Sequence, residues 1–295
     1  MPIRIYRDYL LIAAYAVVAA GCTNEPAPTI DRANSAATDF LSKTSQQIDL
    51  RPPADKSLTL EQYIEIGVPA HDRSWSGYDM ARAANILAAV AKKDAGNLPR
   101  HRSQHSGEAF KRLTTDDNLD FYRNRSLPLE QRLPDALNYV DSINQITKLY
   151  LAAFNQRAVG DSELVELTGA QLRMLVVMFE LVNEFLPTLD KADPNYSVRM
   201  DGLKEMKSGL ASVVAGSLHT LTESQTYRTS ELKRLVGYMQ STFPEILPEL
   251  PAGSRAESLI RLRSFSGDPK MQHLKPKLDQ LVAAVEASTQ PSESP

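Results

Sequence analysis

The chain has 295 residues, with 33 Lys and Arg against 36 Asp and Glu, and a net charge of −3 when its five histidines are neutral. That near-balance excludes a general nucleic-acid binder, which needs a basic surface. A single cysteine excludes a disulfide framework, a zinc ribbon and an iron–sulfur cluster. The length suits one large domain or two small ones.

The first predicted element is an export signal. Arg4 and Arg7 precede an apolar run from Leu10 to Val18, and the small residues Ala19-Ala20-Gly21 lead into Cys22, the only cysteine. The apolar stretch Leu10 to Ala20 is shorter than the about 20 residues that span a bilayer as a helix. In this layout the N-terminus resembles bacterial lipoprotein precursors, with Ala19 standing where leucine is usual. The resemblance covers about 22 residues and concerns export and anchoring alone. It implies cleavage after Gly21 and lipid on the sulfur and amine of Cys22. It also implies anchorage in the cell envelope, with the outer membrane favoured over the inner because Thr23, not Asp, follows the cysteine. Several acyl chains, at roughly 0.8 kcal/mol per buried methylene, would hold it there.

Residues 22–30 then read as the lipidated cysteine and an extended, proline-containing linker. A helix is predicted over Asp31–Gln47. Arg51-Pro52-Pro53 breaks the pattern, and a short helix follows near Leu60–Ile66. The stretch His71, Asp72, Arg73, Trp75, Tyr78, Asp79 gathers the only tryptophan, a histidine, an arginine and two carboxylates. It is the candidate ligand site. His71 and Asp72 supply acid–base chemistry, Arg73 an anion contact, and Trp75 with Tyr78 an aromatic surface. The alternative is structural: a helix entry with Ser76 and Asp79 as a capping box and Trp75 as a core plug.

From Ser76 a helix carries Met80, Ala83, Ala84, Leu87, Ala88 and Ala91 on one face, and Gly96 and Pro99 end it. Residues 98–127 are polar and broken, a candidate subdivision, with short helices around Gly107–Leu113 and Asp116–Arg123. His101, His105 and Glu108 fall at i, i+4 and i+7. On a helix they would share a face and suit zinc, but Pro99 and Gly107 oppose that helix, and an exposed polar loop is the alternative. Lys92, Lys93, Arg100, Arg102, Lys111 and Arg112 make the same stretch locally basic. Such a patch either faces anionic head groups or cell-wall polymer, or is solvated.

The pattern strengthens from Leu129. Leu133, Leu137, Val140, Ile143, Tyr150 and Phe154 mark a helix to about Asn155. The next runs from Ser162 to Leu186, and its second half, from Leu172, is apolar on nearly every side, as in the middle of a bundle. A long helix from Asn195 to Ser224 carries Gly202, Gly209 and Gly216 at a period of seven. Each costs about 1 kcal/mol relative to alanine. That cost predicts close approach of another helix backbone, from the Leu172–Leu186 helix or from a second subunit. Helices over Ser230–Phe243, Ser254–Phe265 and Asp268–Ala287 follow, and residues 288–295 read as a disordered tail.

The expected fold is all-α: a multi-helix bundle or irregular helical array of roughly eight to ten helices over residues 31–287. No nucleophile elbow, phosphate loop or dinucleotide fingerprint is present in the sequence. The functional expectation is therefore a lipid-anchored envelope protein with a non-enzymatic binding or scaffolding domain. No cofactor is called for. The expected partners are the membrane, through the lipid, and an envelope protein or cell-wall polymer, with no nucleic acid. A periplasmic enzyme or small-ligand binder with a site near His71–Asp79 is the alternative.

Overall fold

The computed structural model describes residues 53–69 and 74–289. The signal segment, Cys22, the Asp31–Gln47 helix and residues 290–295 lie outside the described residues, as do His71, Asp72 and Arg73. Among the described residues there are ten α-helices and no strand, so the fold is all-α, as the periodicity predicts.

A strap, 53–59, leads into α1 (Leu60–Glu65), which Thr59 and Gln62 open with a capping box. The long α2 (Gly77–Lys93) starts with the Ser76–Asp79 capping box. Its buried face comprises Met80, Ala83, Ala84, Leu87 and Val90, while Ala88 of the predicted stripe is exposed. After a turn at Ala95–Asn97, the loop 98–106 reaches α3 (Gly107–Thr114) and α4 (Asp117–Arg123). Then come α5 (Leu129–Asn155), α6 (Asp161–Phe185), α7 (Tyr196–Thr222), α8 (Thr229–Ile246), α9 (Ala252–Gly267) and α10 (Lys275–Thr289). Two boundaries differ from expectation by more than two residues. Pro244 sits inside the last turn of α8, where Phe243, Ile246 and Leu247 are fully buried on either side of it and hold the turn. The final helix starts at Lys275, because the Asp268 side chain accepts the Lys270 N–H (2.8 Å) and closes a short 3-10 turn first.

Helix α6 is the axis of the packing. It touches α5 on one side and α8 on another, with α3, α4 and α7 against its remaining faces. Beyond α8 lie α10 and then α9, while α2 packs on α5. The apolar half of α6 explains this position. Leu172, Met174 to Phe179, Leu181 and Val182 are all buried, and only from Glu180 onward does one face open to solvent. Residues 98–127 pack against the same helix. Leu98, Phe110, Leu113, Leu119 and Tyr122 belong to the same core as α6.

Within the chain, no neighbouring helix approaches two of the three α7 glycines, contrary to the expected contact with the Leu172–Leu186 helix. Among the described residues, nothing beyond the adjoining backbone of α7 itself lies within 4 Å of a Cβ built at Gly202 or Gly216. Close approaches occur elsewhere. A Cβ on Gly77 would fall inside the carbonyl oxygen of Asp135 and 2.9 Å from the Tyr139 nitrogen, so this glycine lets α2 rest directly on the backbone of α5. A Cβ on Gly169 would stand 2.6 Å from the ring of Tyr238, which packs against α6 there.

These contrasts predict opposite outcomes for one methyl group. Gly77→Ala meets unyielding backbone and is expected to cost about 1 to 3 kcal/mol. Gly202→Ala meets open space and is expected to raise stability by up to about 1 kcal/mol. Urea denaturation of the two variants reads both signs.

Candidate functional site

The described part of the sequence-predicted ligand site is pulled apart by the fold. Trp75 is 1% exposed, inside the core, and its backbone N–H donates to Asn118 Oδ1 (2.9 Å). Tyr78, three residues on, is 71% exposed. The two rings therefore present no common stacking surface. The helix entry is instead organised by a buried carboxylate. Asp135 Oδ2 accepts the Gly77 N–H (2.7 Å) and the Tyr122 hydroxyl (2.8 Å). Burial, with the Asp135 charge added, pushes the Tyr122 phenol far up. Burial also pushes the Tyr139 phenol up to about 12.

The His101, His105, Glu108 set does not form a metal face. The two histidines sit in turns before α3, which begins only at Gly107. His105 and Glu108 are exposed, and Glu108 pairs with Arg112 (3.3 Å). Among the described residues no three His, Cys, Asp or Glu side chains gather as a ligand set. Nor is the basic stretch uniformly free. Arg100 is buried and Arg102 reaches across to α8.

Those two arginines belong to a charge network that joins loop 98–106 to the starts of α6 and α8. On α6, Asp161 takes a two-pronged bond from the Arg228 guanidinium (Nε 2.9 Å, Nη2 2.6 Å) and also accepts the Arg228 N–H (2.7 Å). One turn along, Glu166 receives Arg234 (2.8 Å) and the Tyr238 hydroxyl (2.7 Å). Between them Glu163 accepts the N–H groups of Gly160 and His101, both at 2.9 Å, with Arg100 Nε 3.6 Å away. On α8, Glu231 is fully buried and faces Arg102 (2.9 Å), Arg234 (3.2 Å) and Arg228 (3.7 Å). Four arginines thus meet four carboxylates. The network continues along α6: Arg173 lies over the Tyr238 ring, pairs with Asp116 and donates to the Thr114 carbonyl (2.8 Å).

His101 stands at the centre of this arrangement. Its ring stacks on Phe110 at 5.7 Å, and its Nδ1 is buried without a hydrogen-bond partner, 3.7 Å from Glu166 Oε1. Burial is the largest influence on it and holds its pKa below the ordinary histidine value. Chemically, each carboxylate here is an acceptor already engaged by an arginine or an N–H group, so the cluster binds elements together.

Sequence reasoning found His101 and missed Asp161, Glu163, Glu166, Arg228, Glu231, Arg234 and Tyr238. A signal existed. Arg228, Glu231, Arg234 and Tyr238 recur at steps of three and four, which places them on one face of α8.

Two surface depressions lie elsewhere. One, of about 230 Å³, is lined by small residues of α7 (Ser208, Ala211, Ser212, Ala215) and by Ser254 and Ser258 of α9. The other, of about 260 Å³, lies by Arg132, whose guanidinium is paired with Glu184 and donates to the carbonyls of Tyr122 (2.9 Å) and Leu127 (3.0 Å). No helix among the described residues is long and apolar enough to cross a membrane.

The chain is thus an all-α helical array whose central interface is joined by buried ion pairs. Comparison with protein-family models, with curated proteins and with solved structures finds no match.

The network predicts an asymmetry between its members. Glu231→Ala leaves three guanidinium groups facing an empty buried position and is expected to cost roughly 3 to 5 kcal/mol. Arg102→Ala removes a side chain that is about half exposed and is expected to cost less than about 1 kcal/mol. Thermal denaturation of both variants, read by circular dichroism, checks the order.

Proposed function

We propose that the chain is a lipid-anchored protein of the bacterial cell envelope whose helical domain is a non-enzymatic binding or scaffolding module. Two supports are independent. The Ala19-Ala20-Gly21-Cys22 junction after a short apolar run supports export, cleavage and lipidation. The observation that carries the second half is the burial of Trp75. The ring best suited to stack on a ligand is spent in the core, its neighbour Tyr78 points to water, and the histidines among the described residues do not assemble around a depression. The partners on this reading are the membrane, through the Cys22 lipid, and an envelope protein or cell-wall polymer. Thr23 in place of an acidic residue supports the outer membrane as the site of anchorage.

The N-terminus of the mature protein tests the anchoring half. Mass spectrometry should find a diacyl- or triacyl-modified Cys22 as the first residue, and Cys22→Ser should move the protein from the membrane to the soluble fraction. An unmodified Cys22, or cleavage at another position, contradicts the reading. Crosslinking in intact envelopes tests the binding half. Wild-type protein should give a discrete crosslinked species that is absent for Cys22→Ser.

A further inference from the structure

We propose that loop 98–106 is an acid-released latch: protonation of His101 loosens the loop from α6 and α8, and with it the strap 53–59 and α1 that the loop carries.

The loop has two sides. Toward the core it is fixed by the His101 N–H on Glu163 (2.9 Å), by Arg102 on Glu231 (2.9 Å), and by Arg100 Nη1 on the Ala158 carbonyl (2.7 Å). Toward the strap it supplies most of the polar contacts. The Leu60 N–H donates to the His105 carbonyl (3.2 Å) and the Ser106 hydroxyl to Ser57 Oγ (2.7 Å). Ser57 Oγ also lies 3.3 Å from Ser103 Oγ, and Arg100 Nη2 is 3.5 Å from the Pro53 carbonyl. The loop is the seat on which the chain runs back toward its N-terminal segment.

Histidine is the residue type that changes charge near neutrality, and of the two in this seat His101 faces the core while His105 is exposed. Its neutral ring fits where it is, stacked on Phe110 of α3 with Nδ1 withdrawn from solvent. A proton on Nδ1 would put a charge into that site. The carboxylates facing it from α6, Glu166 at 3.7 Å and Glu163, favour that proton but are shared, Glu166 with Arg234 and Tyr238 and Glu163 with two N–H groups, and burial outweighs them. The cations facing it, Arg234 of α8 and Arg102 of its own loop, repel it. Glu231, the remaining acid on α8, is engaged by three arginines. The folded form therefore takes up the proton less readily than a free histidine does, consistent with the direction imposed by burial.

The sign follows. With its folded pKa depressed, neutral His101 supports the latched state fully above the ordinary histidine value of about 6.5. That support is lost as the pH falls from there through the lower folded value. α6 and α8 keep their other ion pairs and the apolar core, so the release is local.

Hydrogen exchange on the full chain at pH 7.5 and 5.5, allowing for the intrinsic pH dependence of exchange, tests this. Amides in 57–66 and 98–106 should lose protection at the lower pH while α6 and α8 keep theirs, and His101→Gln should abolish the change. Nuclear magnetic resonance titration of the imidazoles gives a second reading that needs no variant. The midpoint of the loss should coincide with the titration of His101, below the ordinary value. The proposal is overturned if wild-type protection is unchanged or His101→Gln responds like wild type. It is equally overturned if protection falls across α6 and α8 together, or if the loss follows another histidine.

Discussion

Charge has to be neutralised where α6 begins. This helix is buried because its second half is apolar on nearly every face, and its first turns are carried inward with it. Those turns hold Asp161, Glu163 and Glu166, placed where the positive end of the helix dipole favours carboxylates. The same burial takes Asp161 and Glu163 out of water. An unpaired charge there would cost several kcal/mol, more than any local gain. Arginines must therefore be delivered to them, and the chain delivers them from two directions: Arg100 from the loop before α3, Arg228 and Arg234 from the start of α8, while Arg102 of the same loop goes to the buried Glu231 on α8.

Much of the architecture follows from that delivery. Loop 98–106 is held against the core by its arginines and so can seat the strap on its outer side. Helix α8 is aligned along α6 by a face that alternates charge, Arg228, Glu231, Arg234, and ends on Tyr238. Gly169 lets that tyrosine ring lie on α6, and Arg173 covers the ring and reaches on to α3 and Asp116. On the opposite flank a smaller polar hub does comparable work for α2 and α5. Asp135 accepts from Gly77 and Tyr122 where Gly77 allows the two helices to touch.

Sequence patterns revealed the helices better than their partners. Helix α5 was legible from Leu129 to Asn155, the Ser76–Asp79 capping box was legible by its spacing, and the buried half of α6 by its unbroken apolar run. These are local signals, set by the residues of one element. The charge network was not legible, because a polar stripe at three- and four-residue steps reads the same on a solvated helix and on one facing a second set of charges. The expected contact of the α7 glycines with the Leu172–Leu186 helix failed at Gly202 and Gly216 for a related reason: propensity records the cost of a glycine but not whether a neighbour approaches it, whereas Gly77, just inside the Ser76 cap, does make such an approach. Trp75 and Tyr78, three residues apart, parted because Trp75 precedes the Ser76 cap and enters the core from outside the helix, while Tyr78 sits in the first turn of α2 on its exposed face. The segment 98–127 looked like a boundary because its polar residues outnumber its apolar ones. Yet Phe110, Leu113, Leu119 and Tyr122 were sufficient to dock it on α6.

The central claim is that buried ion pairs, acting together, set the α6–α8 interface. A double-mutant cycle on Asp161 and Arg228 is its most direct measure, with Asp161→Ala, Arg228→Ala and the double variant unfolded in urea. Asp161 is 6% exposed and the pair is two-pronged. The account predicts a coupling energy of about 1 to 3 kcal/mol, well above that of an exposed pair. Effects that simply add, within about 0.5 kcal/mol, would contradict it and leave the interface to its apolar residues.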